Sequence, residues 1–434
     1  MAGGAVPSSA NRAVSRRAVL GGAMAGMAGV AGGGLGPAWA AQAHDVPGKG
    51  DPVDAVASRL DRDLIALRRD LHRNPELPGQ ERRTAAVVAR RLRAAGLDVT
   101  TGVGGHGVVG VLEGARHGRT VAYRADMDAV PPGDQWGGDG QVAHLCGHDV
   151  HTAVGVGVAE VLACLRDRLA GAVMFVFQPA EESLSGAAAM LGDGVFARVR
   201  PVEIHALHCG PYPVGEFAVT PGYGYPGQDH GVITLTGPDA MERARRLETD
   251  LGALGTVSPP ATPEQLEQLM ADVQTPDGPL STFVFMLAQA SDAGGQAEVQ
   301  VSYRCWPEER YVQVRADVGR LAQAHGATAV FPDDPFPAMI CPEREGRQIE
   351  RFLRQDAGRD RVHTLHAAVP FSGEDFGLFL DLLPGTYTFL GVRAPGAPAE
   401  TSFPHFGAFS PDERAIGHGV RAMARWLAGR TDRR

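Results

Sequence analysis

Residues 144–183, HLCGHDVHTAVGVGVAEVLACLRDRLAGAVMFVFQPAEES, decide the fold. After a cluster of coordinating groups comes an apolar helix, TAVGVGVAEVLACL, and then a β-rich run, GAVMFVFQPAEES. Just upstream, VVGVLEG and TVAYRADMDAV read as strands. Strand, helix and strand in that order predict an α/β core with parallel pairing.

Further out, residues 54–91 are helical and charged, with a break at Asn74-Pro75 and Pro78-Gly79. VEIHALHCG ends a short strand at His208. Composition changes near residue 229, where HGVITLTG and AEVQVSYRCW read as strands and DAMERARRLETDLGAL, TPEQLEQLMADV and residues 311–325 as helices. From about Cys341 the core resumes with the helix EGRQIERFLRQ, the strand GTYTFLGV and a last helix after Pro411. The expected class is α/β in two domains. A twisted mixed sheet flanked by helices, residues 44–228 and 339–434, is interrupted by a smaller α+β insertion at residues 229–338.

The first 43 residues stand apart. Arg16 and Arg17 lead a Gly/Ala-rich, weakly apolar run that ends in small residues suited to cleavage, the order of a twin-arginine signal. The run is too glycine-rich to anchor the chain in a membrane, so export to the periplasm or the medium is expected. A net charge of −9 and a pI near 5.9 exclude a nucleic-acid footprint and suit a small-molecule or peptide partner. Five cysteines form no dense disulfide pattern, and the odd count leaves a thiol unpaired within the chain.

Cys146 and His148 are two apart, so an extended segment would present both side chains on one face, with Asp149 opposite. Asp126 and Asp128 repeat that spacing. Glu181 and Glu182 are adjacent and would point to opposite sides of an extended chain, one toward a metal and the other toward a reacting water. His208 is placed last in its strand, where ligands gather in open α/β sheets, and His405 lies in an aromatic turn. Taken singly each has a bland alternative: a solvated loop histidine, or an acidic helix N-terminus. Together Cys146, His148, Glu182, His208 and His405 make five ligands, with Glu181 left as base, which suits a site of two divalent metals. Thiolate and imidazole donors favour zinc, with manganese, cobalt and nickel as alternatives.

LHRNPELPGQE, YRADMDAVP, HLCGHDVHTA, VFQPAEES, ALHCGPYPVGEFAVTPG, FSGEDF and HFGAFSPDE occur in an order that resembles the metal-dependent amidohydrolases of the aminoacylase, hippurate hydrolase and indoleacetyl-amino-acid hydrolase group. The resemblance implies the same five ligands, Glu181 as general acid/base, Asp126, Asp128 and Asp149 behind the ligands, and an insertion acting as a lid. It also implies hydrolysis of an amide joining an acyl group to an amino acid, and pairing of two chains through the lid. His72 and Glu374 match family positions without an assigned role. In one place the chain departs from the family. After the first lid strand the family carries a Gly-Gly-His segment whose histidine stabilises the oxyanion in a neighbouring subunit's site, whereas here ITLTGPDAMERARRLETD follows, without histidine. Arg304 in VSYRCWPEERY still matches, and Arg304 and His230 are the candidates to contact substrate. Two other readings compete: a metal-containing binder of peptides or acyl amino acids without turnover, and thiol catalysis by Cys146 with His148. The second is poorer, because two residues leaving one loop on the same side suit chelation better than a nucleophile–base pair.

Overall fold

The computed structural model describes residues 50–432, and the export segment expected at residues 1–43 lies outside them. Helix α1 (Pro52–His72) opens the described chain. The Asp51 carboxylate accepts the Val53 N–H at 2.8 Å, and Pro52 occupies the first turn, where no amide hydrogen is needed. Across the break at Asn74 to Gln80 follow α2 (Arg82–Ala94), β1 (Asp98–Val103), β2 (Gly107–Glu113), β3 (Arg116–Asp126), α3 (His148–Cys164), β4 (Ala170–Gln178), α4 (Gly186–Gly192), β5 (Ile204–Pro213), β6 (Phe217–Val219) and β7 (Gly224–Tyr225). The insertion contains β8 (Gln228–Leu235), α5 (Ala240–Gly252), α6 (Pro263–Val273), β9 (Phe283–Asp292), β10 (Ala297–Trp306), α7 (Tyr311–Ala324) and β11 (Ala329–Val330). The chain returns through β12 (Met339–Ile340), α8 (Glu343–Asp356), β13 (Val362–Thr364), α9 (Gly377–Leu380), β14 (Gly385–Arg393) and α10 (Arg414–Thr431).

The large sheet has eight strands in the order β1-β2-β4-β3-β5-β14-β6-β13. β3 runs parallel to β4 and β5, and β5 parallel to β14, while β2 joins β1 and β4 antiparallel, so the expected mixed sheet forms. Helix α3 is apolar on every side because it lies in the interior, packed against α1, α10 and the sheet. Gly157 marks the closest approach: a methyl there would sit 2.6 Å from Leu64 of α1 and from Val420 of α10. The register pairs Asp126 with Gln178, so β3 and β4 end side by side and send the following residues to the same edge. β5 does not stop at His208 as expected. β14 pairs with it through Leu390–Cys209 and Gly391–Gly210 and carries it on to Pro213, leaving His208 in mid-strand.

The insertion builds a second, antiparallel sheet in the order β11-β8-β10-β9. β8 alternates, with Asp229, Gly231, Ile233 and Leu235 buried and the residues between them more exposed. Helices α5 and α7 cover the buried side, where Ile233, Leu247, Leu251, Val299 and Val318 share one core. β9, for which the sequence reading proposes no element, is the edge strand, aligned by its pairing to β10. Helix α6 does not join this unit. Leu269 and Val273 enter the core of the larger unit beside Leu365, Phe376 and Tyr387. The Val273 carbonyl accepts the His366 N–H at 2.8 Å, and the Gln274 side chain meets the His363 ring at 3.0 Å. No described helix is long and apolar enough to cross a membrane.

Candidate metal centre

Gly147 makes the centre possible. Its φ of 89° turns the chain sharply between Cys146 and His148, and a Cβ there would lie 2.6 Å from the Cys209 sulfur. His148 is therefore the first residue of α3 rather than part of an extended segment, yet both side chains still face inward. Cys146 Sγ lies 3.4 Å from His208 Nε2. Cys146, His148 and His208 form one group of potential ligand atoms lying within 4.8 Å of one another, and Cys146, Glu182 and His405 form another. The sulfur is common to both.

Each imidazole is turned by what its other nitrogen does. Nδ1–H of His148 donates to Asp128 at 3.2 Å, that of His208 to the Cys209 carbonyl at 2.8 Å and that of His405 to the Asp134 carbonyl at 3.0 Å. All three Nε2 atoms are thereby turned inward, where a cation can reach them. His405 reaches its place with φ at 69°, a left-handed conformation that costs a residue with a Cβ about 1 kcal/mol. Its N–H donates to the Leu145 carbonyl and its own carbonyl accepts the Trp136 N–H, each at 2.8 Å.

Glu181 and Glu182 lie in a turn, not an extended strand, so both carboxylates approach His148 Nε2, at 3.7 and 3.6 Å. Beyond it they part. Glu182 continues to His405 Nε2 at 3.4 Å, whereas Glu181 groups with Glu374 and Asp375. Burial, then Glu374, Glu182 and Asp375, hold the Glu181 carboxyl well above the usual range. Burial followed by the carboxylates of Glu182 and Glu181 likewise pushes the Cys146 thiol well up. At His148 burial opposes a charge, but Asp126, Asp128 and Glu182 outweigh it and lift the imidazole to about 10. His148 Nε2 and Glu182 Oε1 are buried without a hydrogen-bond partner. A thiol, three imidazoles and a carboxylate crowded around orphaned buried atoms fit a pair of divalent cations.

The aspartates divide differently from expectation. Asp128 touches ligands on both sides, holding His148 Nδ1 and accepting the Glu182 N–H at 2.9 Å. Asp126 accepts from His151 Nδ1 at 2.6 Å and binds Arg124. Asp149, expected behind the ligands, instead binds Arg68 at 2.7 Å and His72 at 2.9 Å, because its place on α3 faces α1. That gives His72 its contact. Glu374 binds Arg124 at 2.9 Å and the Tyr387 hydroxyl at 2.8 Å. Cys209 is fully buried, and its N–H donates to His151 Nε2 at 2.7 Å. Sequence reasoning did not single out Arg124, His151, Gln178, Asp375 or Glu81. Arg124 carried a signal, since it precedes Asp126 by two on a strand and shares its face.

Residues 122–429 match the model of "Peptidase family M20/M25/M40". The chain belongs to this family. It is 30% identical over 387 residues to thermostable carboxypeptidase 1 of Saccharolobus solfataricus, across 83% of this chain and 93% of that one. It is 30% identical over 372 residues to N-acetylcysteine deacetylase of Bacillus subtilis, across 81% and 93%. A crystal structure of a dinuclear metal binding M20 peptidase from Bacillus subtilis superposes with a TM-score of 0.64 at 27% identity, covering 86% of this chain and 98% of that one. This M20 chain is a metal-dependent amidohydrolase.

In this M20 protein the second sheet touches loops that flank the candidate centre. Phe285 of β9 meets Phe371 with ring centroids 5.2 Å apart, and Phe371 meets Trp136, which sits 5.0 Å from Phe406 beside His405. Arg304, paired with Phe285 in the register, donates to Gln228 at 2.9 Å and keeps a buried Nε without a partner. Burial lowers the Arg304 pKa to about 10. His230 lies cross-strand from Ser302, on the same sheet face as Arg304, and is exposed.

Proposed function

We propose that the protein is an exported hydrolase of N-acyl amino acids or related small peptides that uses two divalent metal ions, zinc foremost. The observation that carries the reading is the convergence of Cys146, His148, Glu182, His208 and His405, with every ring held at Nδ1 so that Nε2 faces the common centre. Cys146, His148 and His208 would hold one ion, and Cys146, Glu182 and His405 the other. Bound there, the ions would polarise the amide carbonyl and acidify a water.

Glu181 takes the proton of the attacking water and hands it to the leaving amine nitrogen. Its raised proton affinity suits the first half of that exchange, and its place between His148 and the Glu374–Asp375 pair keeps it beside the centre. Arg304, with an unpartnered Nε, receives the carboxylate of the amino-acid half. His230 on the same face is the candidate oxyanion donor in place of the histidine absent from residues 233–250. The names of the relatives, a carboxypeptidase and an N-acetyl amino-acid deacetylase, support this substrate class. Export rests on Arg16, Arg17 and the Gly/Ala-rich run after them.

The missing histidine also favours a second reading, a binder without turnover, since loss of an oxyanion donor costs ~10²–10³ in rate. Metal analysis with a panel of N-acyl amino acids, for the wild type and Glu181→Gln, separates the two. Two ions per chain and a kcat that drops about 10²–10⁴-fold in the variant are expected for general acid–base catalysis. Two ions and no hydrolysis of any amide would establish the binder.

A further inference from the structure

We propose that Glu81 is a positioning residue for the base, fixing Glu181 by holding the Ala180 amide from behind the site. The proposal rests on the amidohydrolase reading above. Glu81 closes the LHRNPELPGQE segment just ahead of α2, and its side chain is fully buried. Oε1 accepts two main-chain hydrogens, from Gly79 at 2.7 Å and from Ala180 at 2.8 Å. Ala180 is the residue at which the chain leaves β4 and swings Glu181 toward the centre, and it does so at a φ of 53°. A residue with a Cβ holds that conformation only when its surroundings enforce it.

The Glu181 carboxylate makes no hydrogen bond among the described residues, its separation from His148 being 3.7 Å. Its location is therefore set by its backbone. That backbone is tied on both sides: the amide one residue before donates to Glu81, and the amide one residue after donates to Asp128 at 2.9 Å. Removing the first tie frees Ala180 to relax toward ordinary φ, which would rotate the Glu181 Cα–Cβ bond away from the reacting water. The second oxygen, Oε2, is buried without a partner. A glutamine has the same reach and carries a carbonyl oxygen that can accept both amides, so Glu81→Gln retains the tie and Glu81→Ala does not.

The test compares both variants with the wild type. In Glu81→Ala, kcat on an N-acyl amino acid should fall about 10–10²-fold, as for a catalytic group displaced by an ångström, with KM within twofold and two ions still bound. Glu81→Gln should stay within threefold of wild type. In a Glu181→Gln background Glu81→Ala should have no further effect, because the group it positions is gone. Hydrogen exchange, read on peptides spanning Ala180, should quicken in Glu81→Ala and not in Glu81→Gln. An unchanged kcat in Glu81→Ala, an equal loss in the Glu181→Gln background, or unchanged exchange at Ala180 would each overturn the proposal. If Glu81→Ala does not fold, Glu81→Asp, too short to reach Ala180, takes its place with the same expectations. If the wild type hydrolyses no amide, the amidohydrolase reading fails, and the exchange measurement alone still decides whether Glu81 holds this turn.

Discussion

Cys146 is the atom source that both halves of the centre share, and it is 5% exposed. Cys146→Ala should therefore disturb two ions rather than one, and elemental analysis should find fewer than two per chain together with a loss of hydrolysis. The same residue settles the thiol route. Burial and two neighbouring carboxylates oppose a free thiolate, so chelator-stripped protein should show no amide hydrolysis at neutral pH. In the proposed reading Arg304 binds the substrate carboxylate. A charged hydrogen bond is worth about 1.5–3 kcal/mol, so Arg304→Ala should raise KM about 10–100-fold for substrates bearing a carboxylate. Steady-state kinetics on a matching amide without that carboxylate should show little change. At this scale the candidate ligands Cys146, His148 and Glu182, and the candidate base Glu181, stood out because their types and short spacings are local. His151 and Glu81 did not, because their partners, Asp126, Cys209 and Ala180, come from other elements and only folding brings them together.

Elements supply the convergence. Parallel β3 and β4 end in register at Asp126 and Gln178, so the turns after them place Asp128, Glu181 and Glu182 beside the first turn of α3. The parallel pairing followed from the strand–helix–strand order and from apolar runs such as MFVF and VGVGVAEVLA, whereas the register appears only in the folded chain. β9 was not legible, since its second half is polar and half exposed and only pairing with β10 makes it a strand. Nor was the destination of α6. Its pattern predicts a helix, but nothing in TPEQLEQLMADV says which of two cores receives Leu269 and Val273. If α6 is built into the larger unit, Leu269→Ala should behave as a core truncation and cost about 2–3 kcal/mol. Urea unfolding of the variant checks this, and a helix merely resting on the surface would lose less than about 0.5 kcal/mol.

For the molecule as a whole, a second buried charge cluster ties the start of β5 to the end of α10. Glu203, ahead of β5, binds Arg430 near the end of α10, with His205 3.8 Å away. Burial works against its charge, but these partners prevail and bring its pKa to about 2 from the ordinary 4.5. The resulting stabilisation is complete above about 4.5 and is lost as pH falls toward about 2. Glu203→Gln should therefore lower stability at pH 7, on the order of 3 kcal/mol for a broken buried pair, and flatten the dependence on pH below 4.5. Urea titrations at pH 7 and pH 3.5 measure both.

Docking of α6 in the first core has a consequence for anyone exchanging this insertion with that of a relative. A graft cut where the sequence departs, at 229 and 338, would carry away Leu269, Val273 and the carbonyl that His366 needs, and so open a hole in the recipient. Chimeras spliced inside that helix's flanks, keeping residues 256–283 native, should stay soluble where the simpler swap precipitates.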